Sequence, residues 1–347
     1  MMNLYLVACI YSIVFLFGAL GNLFVIFSMI YSKLCCMPKT NRAYSPRERS
    51  RIFIFMLAIA DLFVLLTIPF SLWQILSVKW VFGSLMCRLN LAIDSSGKSL
   101  SIVLLTAMAI ERYLIVCTRW RYISSPMRIS LIPIVVGILF GVILPVIPQV
   151  LYTSLYTIPF ERNGRAVNET VCLLVMPERL ASLHTTYMFI SSFGVPLLVM
   201  TFCYFRLVRH VKRKYRERIS ANRSPASSVR IHRPKYLCGL TRSICRIAIF
   251  HFTCLAPFWF FTLSPVYGIR FSEESAPEWF RNAKLYATLL PYINSAGNCI
   301  FYAFLNRDIR KQIWRPSSRL RSGYTATAIQ SATMSFNNAA SECNESN

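Results

Sequence analysis

Several side chains that lipid does not tolerate without reason stand inside long apolar stretches. Asp61 lies in Leu57-Ala58-Ile59-Ala60-Asp61-Leu62. Asp94, Lys98 and Ser101 follow in a second stretch that ends on Glu111-Arg112-Tyr113, and Asn294, Ser295 and Asn298 cluster in a third. An ionisable group at bilayer depth costs about 2.5–3.5 kcal/mol on insertion scales and marks a ligand, ion or proton path. A carboxylate surrounded by hydroxyl and amide oxygens is a donor set for a small hard cation. Asp61, Ser101, Asn294, Ser295 and Asn298 are the candidates for such a site. The alternative is a protonated Asp61 in a purely structural hydrogen-bond cluster.

Asp94 and Ser101 are one heptad apart and share a helix face, and Lys98, four residues after Asp94, lies on nearly the same face. Two readings follow. Asp94 is the counter-ion of a cationic ligand group, with Lys98 turned to a ligand carboxylate or carbonyl. Or Lys98 neutralises Asp94 itself, and the pocket suits a simple amine poorly. Catalysis finds no support. No nucleophile elbow, HExxH, phosphate-binding loop or Cys/His cluster at metal spacing occurs. An enzyme is not expected. His184, His210, His232 and His251 are scattered, and His251 reads as a buried, hydrogen-bonded histidine rather than a proton relay.

The elements that must position these residues are membrane spans. Crossing about 30 Å of hydrocarbon takes about 20 mostly apolar residues in helix. Seven stretches qualify, at roughly 4–31, 51–76, 84–117, 129–152, 183–209, 240–267 and 283–305, in a chain that is 55% hydrophobic. Lys and Arg number 29 in the segments 33–51, 112–130, 206–246 and from Arg307 onward, against 7 in the three intervening loops. Basic loops stay cytoplasmic. The N-terminus is therefore expected outside and the C-terminus inside, which requires an odd number of spans. The net charge of +24 then serves orientation and contact with anionic membrane lipid. The basic runs hug membrane ends, so nucleic acid is not an expected partner.

Among the twelve cysteines, Cys87 and Cys172 face outward, where an oxidising exterior would join them; the alternative is two free thiols. Of the three sequons, only Asn168 is on the outer side and open to glycosylation, Asn222 and Asn344 being inside. Residues 306–315 alternate charge with Ile309, Ile313 and Trp314, as a short amphipathic helix on the inner membrane face would. The Ser/Thr/Asn-rich tail, 316–347, reads as disordered and cytoplasmic. The expected architecture is an all-α membrane protein, a seven-transmembrane helix bundle over 1–315 with an amphipathic eighth helix.

An ordered set of residues then carries a resemblance. Gly21-Asn22 stands in span one and Leu57 to Leu62 in span two, followed by Trp80, Phe82-Gly83, Cys87 and Glu111-Arg112-Tyr113. Pro196 and Tyr204 mark span five, Cys254 and Pro257 span six, and Asn298 with Tyr302-Ala303-Phe304 span seven. Together they resemble the rhodopsin-like (class A) G-protein-coupled receptors. Pro69-Phe70-Ser71-Leu72-Trp73-Gln74, Trp80-Val81-Phe82-Gly83, Asp94 and Tyr292 are most similar to the somatostatin, opioid and allatostatin-C peptide receptors. The chain departs from the family at Leu255 (usually Trp), His251 (usually Phe) and Cys299 (usually Pro). Three residues precede the first span, whereas peptide receptors usually carry a longer N-terminus.

The resemblance implies a plasma-membrane receptor for an extracellular neuropeptide that signals to a heterotrimeric G protein, inhibitory class by subgroup. Asp94, Gln74, Tyr292 and Lys98 would line the peptide pocket. Asp61, Ser101, Asn294, Ser295 and Asn298 match the family's allosteric sodium site; no other cofactor is implied. Glu111 would hold Arg112 in the inactive state, with Tyr113, Tyr204 and Tyr302 rearranging on activation. A small-amine receptor, supported by Ser191 and Ser192, is the alternative within the class. A non-signalling receptor is another, and a transporter a third, though no repeated halves are visible.

Overall fold

The computed structural model describes residues 4–35, 46–117, 134–162, 165–221, 235–267 and 277–301. Tyr302, the expected eighth helix at 306–315, the tail at 316–347 and the basic loop 119–130 lie outside these residues.

Seven helical rods account for most of the described chain. Helix α1 is Leu4–Cys35, and α2 runs Pro46–Leu66 and again Ile68–Ser77. Helix α3 is Gly83–Cys117 and α4 is Ile134–Tyr152. Helix α5 comprises Glu178–Phe189, a π-turn at Ile190–Gly194 and Val195–Ala221. Helices α6 and α7 are Lys235–Leu263 and Glu278–Ile300. The rods α1 to α6 contain segments long and apolar enough to cross a membrane. Helix α7 carries Glu278, Arg281 and Lys284 in its first two turns and a polar cluster near its end, which dilutes its hydropathy. Its 23 residues still reach about 34 Å at 1.5 Å per residue.

The loop after α4, expected only as an outer connection, folds as an antiparallel hairpin. Strand β1, Thr153–Arg162, pairs with β2, Arg165–Leu174, in the register Leu155 opposite Cys172. The sequence carries Asn163-Gly164 between the strands, the dipeptide most often found in two-residue hairpin turns.

Prolines and glycines shape the rods locally. The Thr67 hydroxyl donates to the Val64 carbonyl at 2.6 Å at the break in α2, two residues before Pro69. The second half of α2 closes at Val78, whose left-handed backbone (φ 55°) lets its N–H reach the Gln74 carbonyl. Gly83 opens α3 at φ +79°, and no neighbour crowds the place of a Cβ, so glycine serves the backbone there rather than space. Helix α4 holds a π-turn at Leu139–Ile143, two residues before Pro145; the π-turn of α5 ends two residues before Pro196. A proline ring clashes with the carbonyl four residues back and offers no N–H. The wider π-turn absorbs that clash.

Helix α3 is the axis of the bundle. It packs on α2, α4, α5 and α6, while α7 closes the ring against α1, α2 and α6. The apolar windows of α2 and α3 are 56% buried against 17–22% for α1, α4 and α5, so the latter three present their apolar sides to the surroundings. Val7, Tyr11, Val64, Leu65, Ile68, Leu289, Tyr292 and Ala296 form one continuous core seam between α1, α2 and α7.

Candidate functional site

Along α3 the polar residues fall at four levels: Cys87, then Asp94 and Lys98, then Ser101, then Glu111-Arg112. At 1.5 Å per residue the steps from Cys87 to Asp94 and from Asp94 to Ser101 are each about 10 Å, and Glu111 lies about 15 Å further.

At the first level Cys87 and Cys172 are disulfide-bonded with Cα atoms 5.6 Å apart, which fastens β2 to the start of α3. Trp80 packs on the bridge, donates its indole N–H to the Gly83 carbonyl at 2.9 Å, and donates its backbone N–H to the Thr170 carbonyl at 2.7 Å. Phe82 stacks edge-on against Phe70, Trp73 and Trp80. Gln74 belongs to this level. Its amide N–H donates to the Cys172 carbonyl at 3.0 Å and its amide oxygen accepts from the Cys172 N–H at 3.1 Å. The side chain expected to line a pocket is thus clamped to the hairpin backbone.

At the second level Asp94 and Lys98 are half-buried and joined: Lys98 Nζ stands 2.6 Å from Asp94 Oδ2. The same ammonium lies 4.1 Å from the centre of the Tyr292 ring. The Thr67 hydroxyl donates to Asp94 Oδ1 at 3.4 Å, and the Tyr292 side chain is hydrogen-bonded to both Asp94 and Thr67. Three helices meet on one carboxylate. Of the two readings of Asp94, the described state shows the one in which Lys98 neutralises it. Sequence reasoning missed Thr67, whose only signal is a hydroxyl beside a proline-induced break.

At the third level Asp61 is fully buried. Its two oxygens accept from the Ser101 hydroxyl at 3.0 Å and the Asn298 amide at 2.9 Å, and the Ser295 side chain bonds to it as well. Four of the five expected residues therefore converge from α2, α3 and α7. Asn294 turns aside: its amide nitrogen is 2.9 Å from His251 Nδ1 on α6. That contact gives the buried His251 one hydrogen bond, at Nδ1, while its Nε2 has no partner among the described residues, and it ties α6 to α7. Asn22 of α1 supports the cluster by donating to the Gly18 and Ser295 carbonyls at 2.9 and 3.2 Å. The amide oxygen of Asn298 is a buried acceptor without a hydrogen-bond partner among the described residues. With the Asp61 carboxylate and the Ser101 and Ser295 hydroxyls it makes an all-oxygen set, which fits a small hard cation.

At the fourth level Glu111 and Arg112 are both buried, and Tyr113 stacks on Phe202 of α5 with ring centres 5.9 Å apart. Tyr204 lies nearby on α5 with its hydroxyl buried. Near the hairpin end, Ser192 of α5 is paired with Ser99 of α3 at 3.1 Å, while Ser191 donates to the Met188 carbonyl of its own helix. Asn168 is exposed on β2.

Residues 21–302 match the family described as 7 transmembrane receptor (rhodopsin family). Among curated proteins the chain is similar to the somatostatin receptor type 2 of Sus scrofa, at 29% identity over 312 residues, or 87% of this chain and 74% of that receptor. The somatostatin receptor type 3 of Rattus norvegicus is 29% identical over 334 residues, covering 91% of this chain and 70% of the relative. Neuropeptide receptor 18 of Caenorhabditis elegans is 26% identical over 342 residues, covering 91% and 68%.

Proposed function

The chain belongs to the rhodopsin family of seven-transmembrane receptors, a multi-pass plasma-membrane receptor and not an enzyme, and from that premise we propose that it binds an extracellular neuropeptide and activates a heterotrimeric G protein. The likeness to somatostatin and neuropeptide receptors across about nine-tenths of the chain carries the reading. The half-buried Asp94–Lys98–Tyr292 cluster supports it, because it sits about two to three turns below the disulfide and keeps part of its surface exposed. In this reading the hairpin end faces outward, the N-terminus is extracellular, and the Arg112 end faces the cytoplasm. The basic inner ends of α5 and α6 and the loop 119–130 then receive the G protein, of inhibitory class by subgroup.

Activation is a population shift between a closed and an open bundle. Glu111, Arg112, Tyr204 and Tyr302 exchange partners as α6 moves away from α3. We assign the allosteric sodium site to Asp61, Ser101, Ser295 and Asn298, with Asn294 at its edge. A sodium ion there would supply the charge that the buried Asp61 carboxylate otherwise lacks. Asp61, Ser101 and Asn298 span α2, α3 and α7, so any tightening of that set favours the closed bundle and opposes agonist. Raising sodium is expected to weaken agonist affinity, and Asp61→Asn is expected to abolish that dependence; an intact receptor indifferent to sodium would remove the assignment.

The experiment for the receptor reading is a neuropeptide library applied to cells expressing the full chain. Nucleotide exchange on a co-expressed G protein is the readout. A peptide that drives exchange supports the proposal; binding without exchange would favour a non-signalling receptor, motivated by Leu255, His251 and Cys299 in the switch region. A small-amine receptor is the weaker reading. Its serines on α5 are engaged elsewhere, Ser192 with Ser99 and Ser191 with its own helix, and its carboxylate is already neutralised.

A further inference from the structure

An ammonium ligand in a helical bundle uses two kinds of surface: a carboxylate for charge and an aromatic face for the cation's remaining directions. Here both surfaces meet at one point, and one side chain of the protein occupies both. Lys98 Nζ is 2.6 Å from Asp94 Oδ2 and 4.1 Å from the Tyr292 ring centre. The other Asp94 oxygen accepts from Thr67. The arrangement is permitted by spacing alone, since residues i and i+4 of a helix adjoin. It is not sealed, however. The two side chains keep 21% and 17% of their exposure, unlike the wholly buried Asp61.

We propose that Lys98 is a specificity-determining residue: a tethered ammonium that closes Asp94 to simple cations, so that a ligand engages the carboxylate only if it also brings an acceptor for the displaced lysine. The inference rests on the peptide-receptor reading and narrows its ligand class. An incoming cation must evict the Lys98 ammonium from a partly desolvated site. Leaving one charge of such a pair unpartnered is strongly unfavourable. A ligand with an anionic or carbonyl group within reach of its cation restores two pairs where one stood. A basic peptide side chain flanked by a carboxylate or backbone carbonyl has that chemistry; a lone amine does not. The selection is thus by exclusion as much as by attraction.

The test uses the purified full-length chain in detergent and reads its thermal unfolding midpoint. Two probes are added against matched potassium chloride: n-butylammonium, which copies the lysine side chain, and 6-aminohexanoate, which adds a carboxylate. The wild-type protein is expected to ignore n-butylammonium and to be stabilised by 6-aminohexanoate. K98A is expected to unfold at lower temperature and to regain several degrees, saturably, with n-butylammonium. K98M, which keeps the bulk of the stem and leaves room only for the ammonium, should show the gain with methylammonium in place of n-butylammonium if K98A fails to fold. D94N/K98A should show none. Equal stabilisation of wild type and K98A by n-butylammonium would overturn the occlusion, as would no gain in either lysine variant. Indifference of the wild type to 6-aminohexanoate would overturn the acceptor requirement. Neither readout passes through a G protein. A chain deaf to every neuropeptide would sink the receptor reading and leave this result standing.

Discussion

Single side chains here do what longer loops do elsewhere. Gln74 is the plainest case: one amide exchanges two hydrogen bonds with the backbone of Cys172 and so fixes where the hairpin sits over α2. Gln74→Ala is expected to cost about 1–3 kcal/mol, because two backbone groups lose partners in a partly buried setting. Gln74→Glu keeps one acceptor, loses the donor, and should fall between. Thermal unfolding of the two variants beside wild type checks the order; an unshifted Gln74→Ala would show that the disulfide alone positions β2. Asp61 illustrates the opposite economy, with one carboxylate on α2 drawing donors from α3 and α7. Its partners are hydroxyls and amides, neutral groups that share the carboxylate without cancelling a charge on it.

At the scale of elements, the bundle depends on close approach at a few small residues. A Cβ on Gly18 of α1 would stand 2.7 Å from the Ala296 Cβ and 2.8 Å from Leu65 Cδ1. Overpacking of this kind costs about 1–3 kcal/mol, so Gly18→Ala should lower the unfolding temperature. Ala296→Gly combined with it should recover part of the loss, which the double variant's melting curve will decide. The hairpin depends on its staple. The bridge joins positions 85 residues apart, and a loop of that length corresponds to about 4–5 kcal/mol in the chain-entropy account. Cys172→Ser is therefore expected to destabilise the receptor severely and to lower its surface expression, read by antibody labelling of intact cells. Helices α4 and α5 show the same interdependence: each relieves a proline with a π-turn, and the Tyr187 hydroxyl of α5 donates to the Phe140 carbonyl within the α4 π-turn at 2.5 Å. The two irregularities support each other.

At the scale of the molecule, the proposed orientation rests on charge. If the hairpin end is extracellular, Asn168 on β2 receives a glycan, while Asn222 and Asn344 do not. Asn168→Gln is expected to raise electrophoretic mobility by one glycan's mass and to make the protein insensitive to endoglycosidase. Persistent sensitivity would place another sequon outside and invert the topology. Membrane residence and the seven-helix class were legible in sequence, and so was the convergence of Asp61 with Ser101 and Asn298. A run of about 20 apolar residues has few uses other than crossing a bilayer, and a charged residue within it is conspicuous. The disulfide was legible too, because Cys87 and Cys172 were the two cysteines expected on the oxidising side. The hairpin's sole signal was Asn163-Gly164, a two-residue cue amid a loop with weak alternation.

What sequence spacing could not decide was which of several compatible partners each polar group would take. It offered Asp94 either a ligand or Lys98, grouped Asn294 with Asp61, and turned Gln74 toward a pocket. Packing decided each case: Lys98 folds back on Asp94, one of the two readings offered, while Asn294 bonds His251 and Gln74 grips Cys172 instead. Composition and order determine that polar residues in lipid-depth helices must satisfy one another. The pairing itself depends on helix rotation, on the break at Thr67 and on distances of a few tenths of an ångström across different rods. Such distances arise only once all seven helices are in contact.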